Sequence, residues 1–412
     1  MLYKRAGLWP KKAWNCIYSF FYCVRLRKIK GNFLTLYGFY GASDFSPVRN
    51  IGDNAILIAM LESLSQFQIP KLILLIDSEG KFSKYGIERK LHFGGLTNLR
   101  QWYDIIEKTE IFVLGGGGLF QDYTGEGGTT FYLFMICLMF RIAGRKIMWY
   151  SCGIGPLNSY KSKILTSFAA KISDIISVRD IRSKHLLNNL KITDKKVVLS
   201  SDPVFGLDIS KLIKKEKKII SGRKLIGLSI LPFYEASGIS EKRDNHIIFE
   251  YKKFIKFLLK KNFDIILLAF ENTQDIQIFN EILQGFNGEE NKKVQIYGRN
   301  CTVNELLTYC SSLDYFIGMR YHSIIFCYLC NIPSGAIIYH PKVRSLVNDA
   351  DMNDYACEIE SLSAERLKEV LANLQKDSSK LKSQMKQFVS NQKDLLSRNL
   401  HLLTPISTHR HH

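Results

Sequence analysis

The chain has 412 residues, 46% apolar and 23% charged, an ordinary globular composition that excludes a largely disordered or fibrous protein. At roughly 100–200 residues per domain, two domains are expected. The net charge of +19, from 57 Lys and Arg against 38 Asp and Glu, requires an anionic substrate, surface or partner. Zinc knuckles, recognition helices and aromatic RNA-binding motifs are missing, so nucleic acid is supported by charge alone and is not expected.

The first thirty residues carry eight Lys and Arg, no Asp or Glu, and the aromatic run "AWNCIYSFFYCV". That run is too short to span a bilayer and lacks a small-residue cleavage site. Two readings stay open for residues 1–32: a basic amphipathic stretch lying on an anionic membrane, or a helix packed on the body of the protein.

Continuous apolar runs follow at "FLTLYGF" (33–39), "KLILLID" (71–77), "IFVLGGG" (111–117), "KIMWYSCG" (146–153), "IISVRD" (175–180) and "KVVLSSD" (196–202). Such runs, with helical segments between them, mark parallel strands covered on both faces. "FYLFMICLMF" (131–140) reads as a buried helix, being too short to cross a membrane. A lysine-rich stretch at 208–222 suits a linker, and a second series begins after it: "KLIGLSIL" (224–231), "FDIILLAF" (263–270), "KVQIYGR" (293–299), "YFIGMR" (315–320) and "PSGAIIY" (333–339). The economical architecture is α/β, with two facing Rossmann-like domains at 33–207 and 223–350. Residues 351–412 form a C-terminal helical segment and tail that can pack back across the first domain. The nine cysteines are scattered, several within apolar runs, which favours buried core thiols over metal or redox roles and a reduced, cytoplasmic setting. "CYLC" at 327–330 has no second pair to complete a metal site.

Ligands of open α/β sheets sit at the carboxyl ends of the strands, so residues there are the candidates. In "NIGDNAI", Asp53 stands at a helix start, where it can cap the first turn, and Gly52 permits a sharp turn into the helix. The glycines of "VLGGGGLFQDYTG" (113–125) let backbone N–H groups approach an anion or sugar, though a plain tight turn fits as well. Their spacing is not that of a dinucleotide fingerprint. Arg179 and Asp180 end a strand in "SVRDIRS", as an anion clamp or as a structural ion pair. Finally, Arg320 and His322 follow one strand and His340 and Lys342 the next, and this clustering reads as an anion pocket containing a proton-transfer group.

The ordered set "NIGDNAI", "LGGGGLFQD", "CGIGP", "SVRDIRS", "SDPVF", "MRYHSIIF" and "YHPKV", spread over about residues 33–350, resembles the polysaccharide pyruvyl transferase family. The resemblance implies a glycosyltransferase-B-like fold, with phosphoenolpyruvate as donor substrate, no cofactor and no metal. It also implies a pyruvate ketal formed on a sugar of an envelope polysaccharide or its lipid-linked precursor. The family's Arg-x-His motif falls on Arg320 and His322, its following Lys on Lys342, its Arg-Asp motif on Arg179 and Asp180, and its Gly-Asp element on Gly52 and Asp53. Tyr321 and His340 depart from that pattern, where a Leu and an acidic residue are expected. The resulting expectation makes His322 catalytic. Arg320, Lys342, Arg179 and His340 bind the donor, and Asp53, Gly116, Gly117 and Asp122 bind the acceptor. Peripheral contact with the inner face of an anionic membrane follows if residues 1–32 lie on it. Two rivals remain: a glycosyltransferase of the same fold that uses a nucleotide sugar, and a non-catalytic binding protein driven by charge.

Overall fold

The computed structural model describes residues 33–37, 50–65, 71–75, 87–91, 99–122, 125–193, 197–213, 222–232, 241–271, 273–298 and 301–407. The basic segment 1–32 and most of the lysine-rich linker lie outside the described residues.

The elements, in chain order, are β1 (Phe33–Tyr37), α1 (Ile51–Ser65), β2 (Lys71–Leu75), β3 (Ile87–Leu91), α2 (Leu99–Lys108), β4 (Thr109–Gly115), β5 (Gly118–Asp122), α3 (Gly128–Ile142), β6 (Lys146–Leu157), α4 (Tyr160–Ile172), β7 (Ile175–Val178), α5 (Ile181–Asn189), β8 (Val197–Leu199) and the single turn α6 (Ile209–Leu212). There follow β9 (Leu225–Ser229), α7 (Glu241–Lys260), β10 (Asp264–Leu268), α8 (Gln274–Leu283), α9 (Gly288–Lys292), β11 (Val294–Tyr297), α10 (Val303–Ser311), β12 (Tyr315–Gly318), α11 (Tyr321–Leu329), β13 (Ser334–Ile338), α12 (Pro341–Asp349), β14 (Ala356–Glu358), α13 (Ala364–Lys376) and α14 (Ser378–Ser407).

The strands form two parallel sheets. One runs β3-β2-β1-β4-β6-β7-β8 with β5 paired to β6, and the other runs β11-β10-β9-β12-β13-β14. The second order is that of a Rossmann sheet, with its switch point between β9 and β12. Register across that point pairs Gly318 with Ser229. β9, β12 and β13 are buried at every residue, the pattern of strands covered on both faces. Three strands escape the sequence reading. β3, "IERKL", interleaves charges with apolar residues, as edge strands do. β5 grows out of the glycine run, and β14 is three residues long.

The chain divides into two compact units. The first comprises β1, Ile56–Gly206 and the end of α14 from Gln392. Its core stacks Phe112 on Phe140 at 4.0 Å and Phe120 on Trp149 at 4.3 Å. The second comprises Leu207–Asn391 together with the first turn of α1, as far as Ala55. This differs from the boundaries read from sequence. Ile51 N–H donates to Phe270 O at 2.9 Å, and Asn50 bridges Glu271, so the start of α1 is built into the second unit. Helix α14 is likewise divided between the units. Gln384 donates to Ala350 O at 2.9 Å and Tyr328 meets Phe388 edge-on in the second unit, whereas Asn399 is buried in the first.

Asn399 Nδ2 donates to Ser151 Oγ at 2.7 Å and to Ser200 Oγ at 2.9 Å. Asn399→Ala removes the donor from two buried hydroxyls and is expected to lower stability by about 1–3 kcal/mol. The check is the urea midpoint, which should fall at unchanged slope.

Candidate functional site

The second unit gathers its chemistry around one carboxylate. Asp275, in the first turn of α8, is fully buried. Its Oδ2 accepts the N–H groups of Phe270 (2.9 Å) and Glu271 (3.0 Å). The Glu271 carboxylate accepts those of Thr273 (3.1 Å) and Gln274 (2.6 Å). Arg320, immediately after β12, closes on Asp275 as a fork. Its Nε lies 3.0 Å from Oδ1 and 3.2 Å from Oδ2, and its Nη2 pairs with Oδ1. Burial works against the guanidinium charge, but Asp275 outweighs it and holds the Arg320 pKa above its ordinary value. The Arg320 side chain stays 20% exposed, so the fixed cation still faces outward.

That loop also carries the start of α1. Asn50 Oδ1 accepts Gly52 N–H at 3.0 Å, so Asn50 caps the helix. Asp53 lies half-buried in its first turn. A Cβ built on Gly52 would fall onto the His322 imidazole, 2.6 Å from Cγ and 2.9 Å from Cε1. The residue is glycine because the imidazole rests on its backbone. Two motifs 270 residues apart therefore meet, and the turn that carries Asp53 adjoins the Arg-x-His motif within the second unit. The sequence reading had placed Asp53 with the first domain.

Beside His322, the Tyr321 ring stands edge-on at 5.2 Å and lies 5.8 Å below Lys342 Nζ. His340 caps α12, its Nδ1 accepting Lys342 N–H at 3.0 Å, with Pro341 in the first helical turn. One His340 nitrogen thus has a structural task, which places the ring proton on Nε2. Arg320, His322, His340 and Lys342 all stand at the N-termini of α11 and α12, where helix dipoles favour anions.

In the first unit the candidates have other roles. Gly116 and Gly117 adopt left-handed φ of 62° and 70°, and a Cβ on Gly116 would strike Ile56 of α1. Asp122 is buried, accepting Ser159 N–H (3.1 Å), Ser159 Oγ–H (2.7 Å), Ser162 Oγ–H (2.8 Å) and Gly127 N–H (3.2 Å). Burial would raise its pKa, but these bonds outweigh burial and hold it at about 2. This carboxylate ties β5 to α3 and α4. Arg179 follows β7. It is buried with Nη1 2.9 Å from Asp202, and Asp180 caps α5 through Ser183 N–H at 2.7 Å. Gly153 lacks a Cβ because the Arg179 guanidinium occupies that space, with Nε 2.7 Å from the Cβ position. Within the Arg-Asp motif, Asp180 Oδ2 lies 3.7 Å from Arg179 Nε.

The sequence profile of the family described as "Polysaccharide pyruvyl transferase" matches residues 50–341, from the cap of α1 to the first residue of α12. The chain belongs to the polysaccharide pyruvyl transferase family. Comparison with curated protein sequences gives no match. Among solved structures, Anabaena HepE in complex with UDP-glucose is 12% identical with a TM-score of 0.59, over 91% of this chain and 99% of that one. A UDP-GlcNAc 2-epimerase from Methanocaldococcus jannaschii is 12% identical with a TM-score of 0.57, over 90% and 99%. The S. aureus MnaA–UDP structure is 11% identical with a TM-score of 0.55, over 86% and 90%. These likenesses fix the fold as glycosyltransferase-B-like. The transferase family member thus carries Asn50, Glu271 and Asp275, which its sequence alone did not single out. The one signal was an acidic cluster, "FENTQD", directly after a strand.

Arg320→Ala and Asp275→Ala should each destabilise the protein by about 3–5 kcal/mol, since each strands a buried charge. The double variant should lose clearly less than the sum, as read from denaturation midpoints in a double-mutant cycle. Asp122 makes a pH prediction of opposite reach. Its folded pKa of about 2 lies below the ordinary 3.8, so its contribution is full above about pH 5 and disappears as pH falls toward 2. Asp122→Asn should therefore cost about 2 kcal/mol at neutral pH and flatten the stability curve on the acid side.

Proposed function

We propose that the protein transfers the enolpyruvyl unit of phosphoenolpyruvate to two hydroxyls of one sugar, in an envelope polysaccharide or its lipid-linked precursor, giving a pyruvate ketal and inorganic phosphate. The reading is carried by the seating of His322 on the Gly52 turn, beside an Arg320 held rigid by buried Asp275. A dianionic or trianionic donor needs several fixed cations. Arg320 meets it with the guanidinium N–H groups that Asp275 leaves over, Lys342 with a point charge, and the N-termini of α11 and α12 with oriented N–H groups. His340 Nε2–H adds a donor on the same side.

The reaction balances with one proton shuttle. Protonated His322 gives its proton to the methylene carbon, which becomes the methyl group, and the imidazole then takes the proton of the first sugar hydroxyl as that hydroxyl attacks the adjacent carbon. Phosphate then leaves with the electron pair of its C–O bond, the second hydroxyl closes the ketal, and its proton departs with phosphate. An imidazole, which can both give and accept a proton, suits both halves of this exchange. Asp53, on the turn that supports His322, is assigned the orientation of the sugar hydroxyls.

His322→Ala is expected to lower turnover by at least about 10²-fold with donor binding retained. Lys342→Ala should act mainly on donor affinity, because it meets the anion in the ground state too. Gly52→Ala, which displaces the imidazole, should reproduce much of the His322 loss. The assay is phosphate release from phosphoenolpyruvate with lipid-linked or polymeric sugar acceptors, with products read by mass. Turnover of a nucleotide sugar, with phosphoenolpyruvate inert, would favour the glycosyltransferase reading instead. Wild-type turnover in His322→Ala would remove the proposed role.

A further inference from the structure

Helix α4 packs in an unusual sense. Its buried residues are Ser162, Thr166, Ala169 and Ala170. Leu165 and Ile172 are half-buried, but three of its large apolar residues point outward: Tyr160 is 79% exposed, Ile164 37% and Phe168 52%. Spaced four apart, these three form one continuous stripe along the helix. A helix that serves only its own core shows the reverse distribution, large apolar side chains inward and polar ones outward. Phe134 of α3 extends the stripe, its ring 6.4 Å from that of Phe168.

The stripe is set among cations. Lys161, Lys163 and Lys171 lie on the same helix, which contains no Asp or Glu. All three are exposed. Lys161 Nζ sits 5.6 Å from the Phe131 ring centroid and Lys171 Nζ 5.7 Å from that of Phe168, so the ammonium groups border the aromatic surface. An exposed stripe of Tyr, Ile and Phe flanked by lysines complements a surface with an apolar interior and an anionic headgroup layer. Among the described residues no helix is long and apolar enough to cross a membrane, so contact by this face would lie along the surface.

We propose that the α4 stripe, with Phe134 and the three lysines, is a docking face for an anionic membrane. The geometry gives the contact a purpose. α4 follows β6 directly, so Tyr160 lies at the carboxyl end of that strand, the sheet edge at which folds of this kind take ligands. A sugar carried on a membrane lipid is thereby presented to that edge. Binding is independent of the donor reading, because it is measured with no donor present and survives even if phosphoenolpyruvate is not used.

The test is flotation of the full chain with vesicles of phosphatidylcholine alone or mixed with phosphatidylglycerol, at low and high salt. The wild type should bind the mixed vesicles, and salt should weaken binding. Two triple variants are compared, Tyr160→Ser/Ile164→Ser/Phe168→Ser and Lys161→Gln/Lys163→Gln/Lys171→Gln. Each should bind at least about tenfold more weakly while retaining the wild-type melting profile, because the replaced side chains are exposed. The proposal is overturned if the wild type does not bind. It is equally overturned if both variants bind as the wild type does, which would assign binding to residues 1–32. It is also overturned if the apolar variant instead abolishes self-association in light scattering with vesicle binding unchanged, since the stripe would then cover a second copy of the chain.

Discussion

The second unit depends on a single buried carboxylate. Asp275 has no contact with water, and leaving such a charge unmatched in a low-dielectric interior would be strongly destabilising. Arg320 and two backbone N–H groups match it. By doing so they fix the loop after β10, and that loop positions Asn50 and Ile51 through Glu271 and the Phe270 carbonyl. The turn so placed supports His322. Charge compensation, loop geometry and placement of the imidazole are therefore one connected constraint.

Glycines mark where such constraints meet. Gly52 makes room for His322, Gly153 for Arg179 and Gly116 for Ile56. In each case a side chain distant in sequence lies against bare backbone, which a Cβ would prevent. The motif glycines thus record close packing of distant side chains, and Gly116, Gly117 and Gly155 also record a left-handed backbone.

The ionisable groups separate into two classes by burial. Asp122, Asp202 and Arg179 are sealed in the first unit with partners, so they stabilise sheet and helix connections. Arg320, His322, His340 and Lys342 keep partial exposure at two neighbouring helix N-termini. Anion recognition requires this second arrangement, with cations held in place from behind and open in front. The basic excess is expressed again on α4, where lysines border an apolar stripe.

Much of this was legible in the sequence. Apolar runs without alternation specify parallel strands because both faces are covered, and strand ends specify where ligands bind, so the α/β class, most strands and the Arg320 to Lys342 cluster followed from pattern alone. The ordered motifs were enough to indicate the family. Three things required the tertiary structure. Which carboxylate pairs with Arg320 was invisible, since Asp275 lies 45 residues away and its acidic neighbours look like an ordinary solvated loop. Whether Arg179 and Asp122 face a ligand or the core depends on burial, and local spacing does not encode burial. Why residue 52 is glycine was undecidable locally, because the atom that excludes a side chain there belongs to His322. Sequence pattern fixes what is periodic along the chain, whereas contacts between distant segments are set by packing in three dimensions.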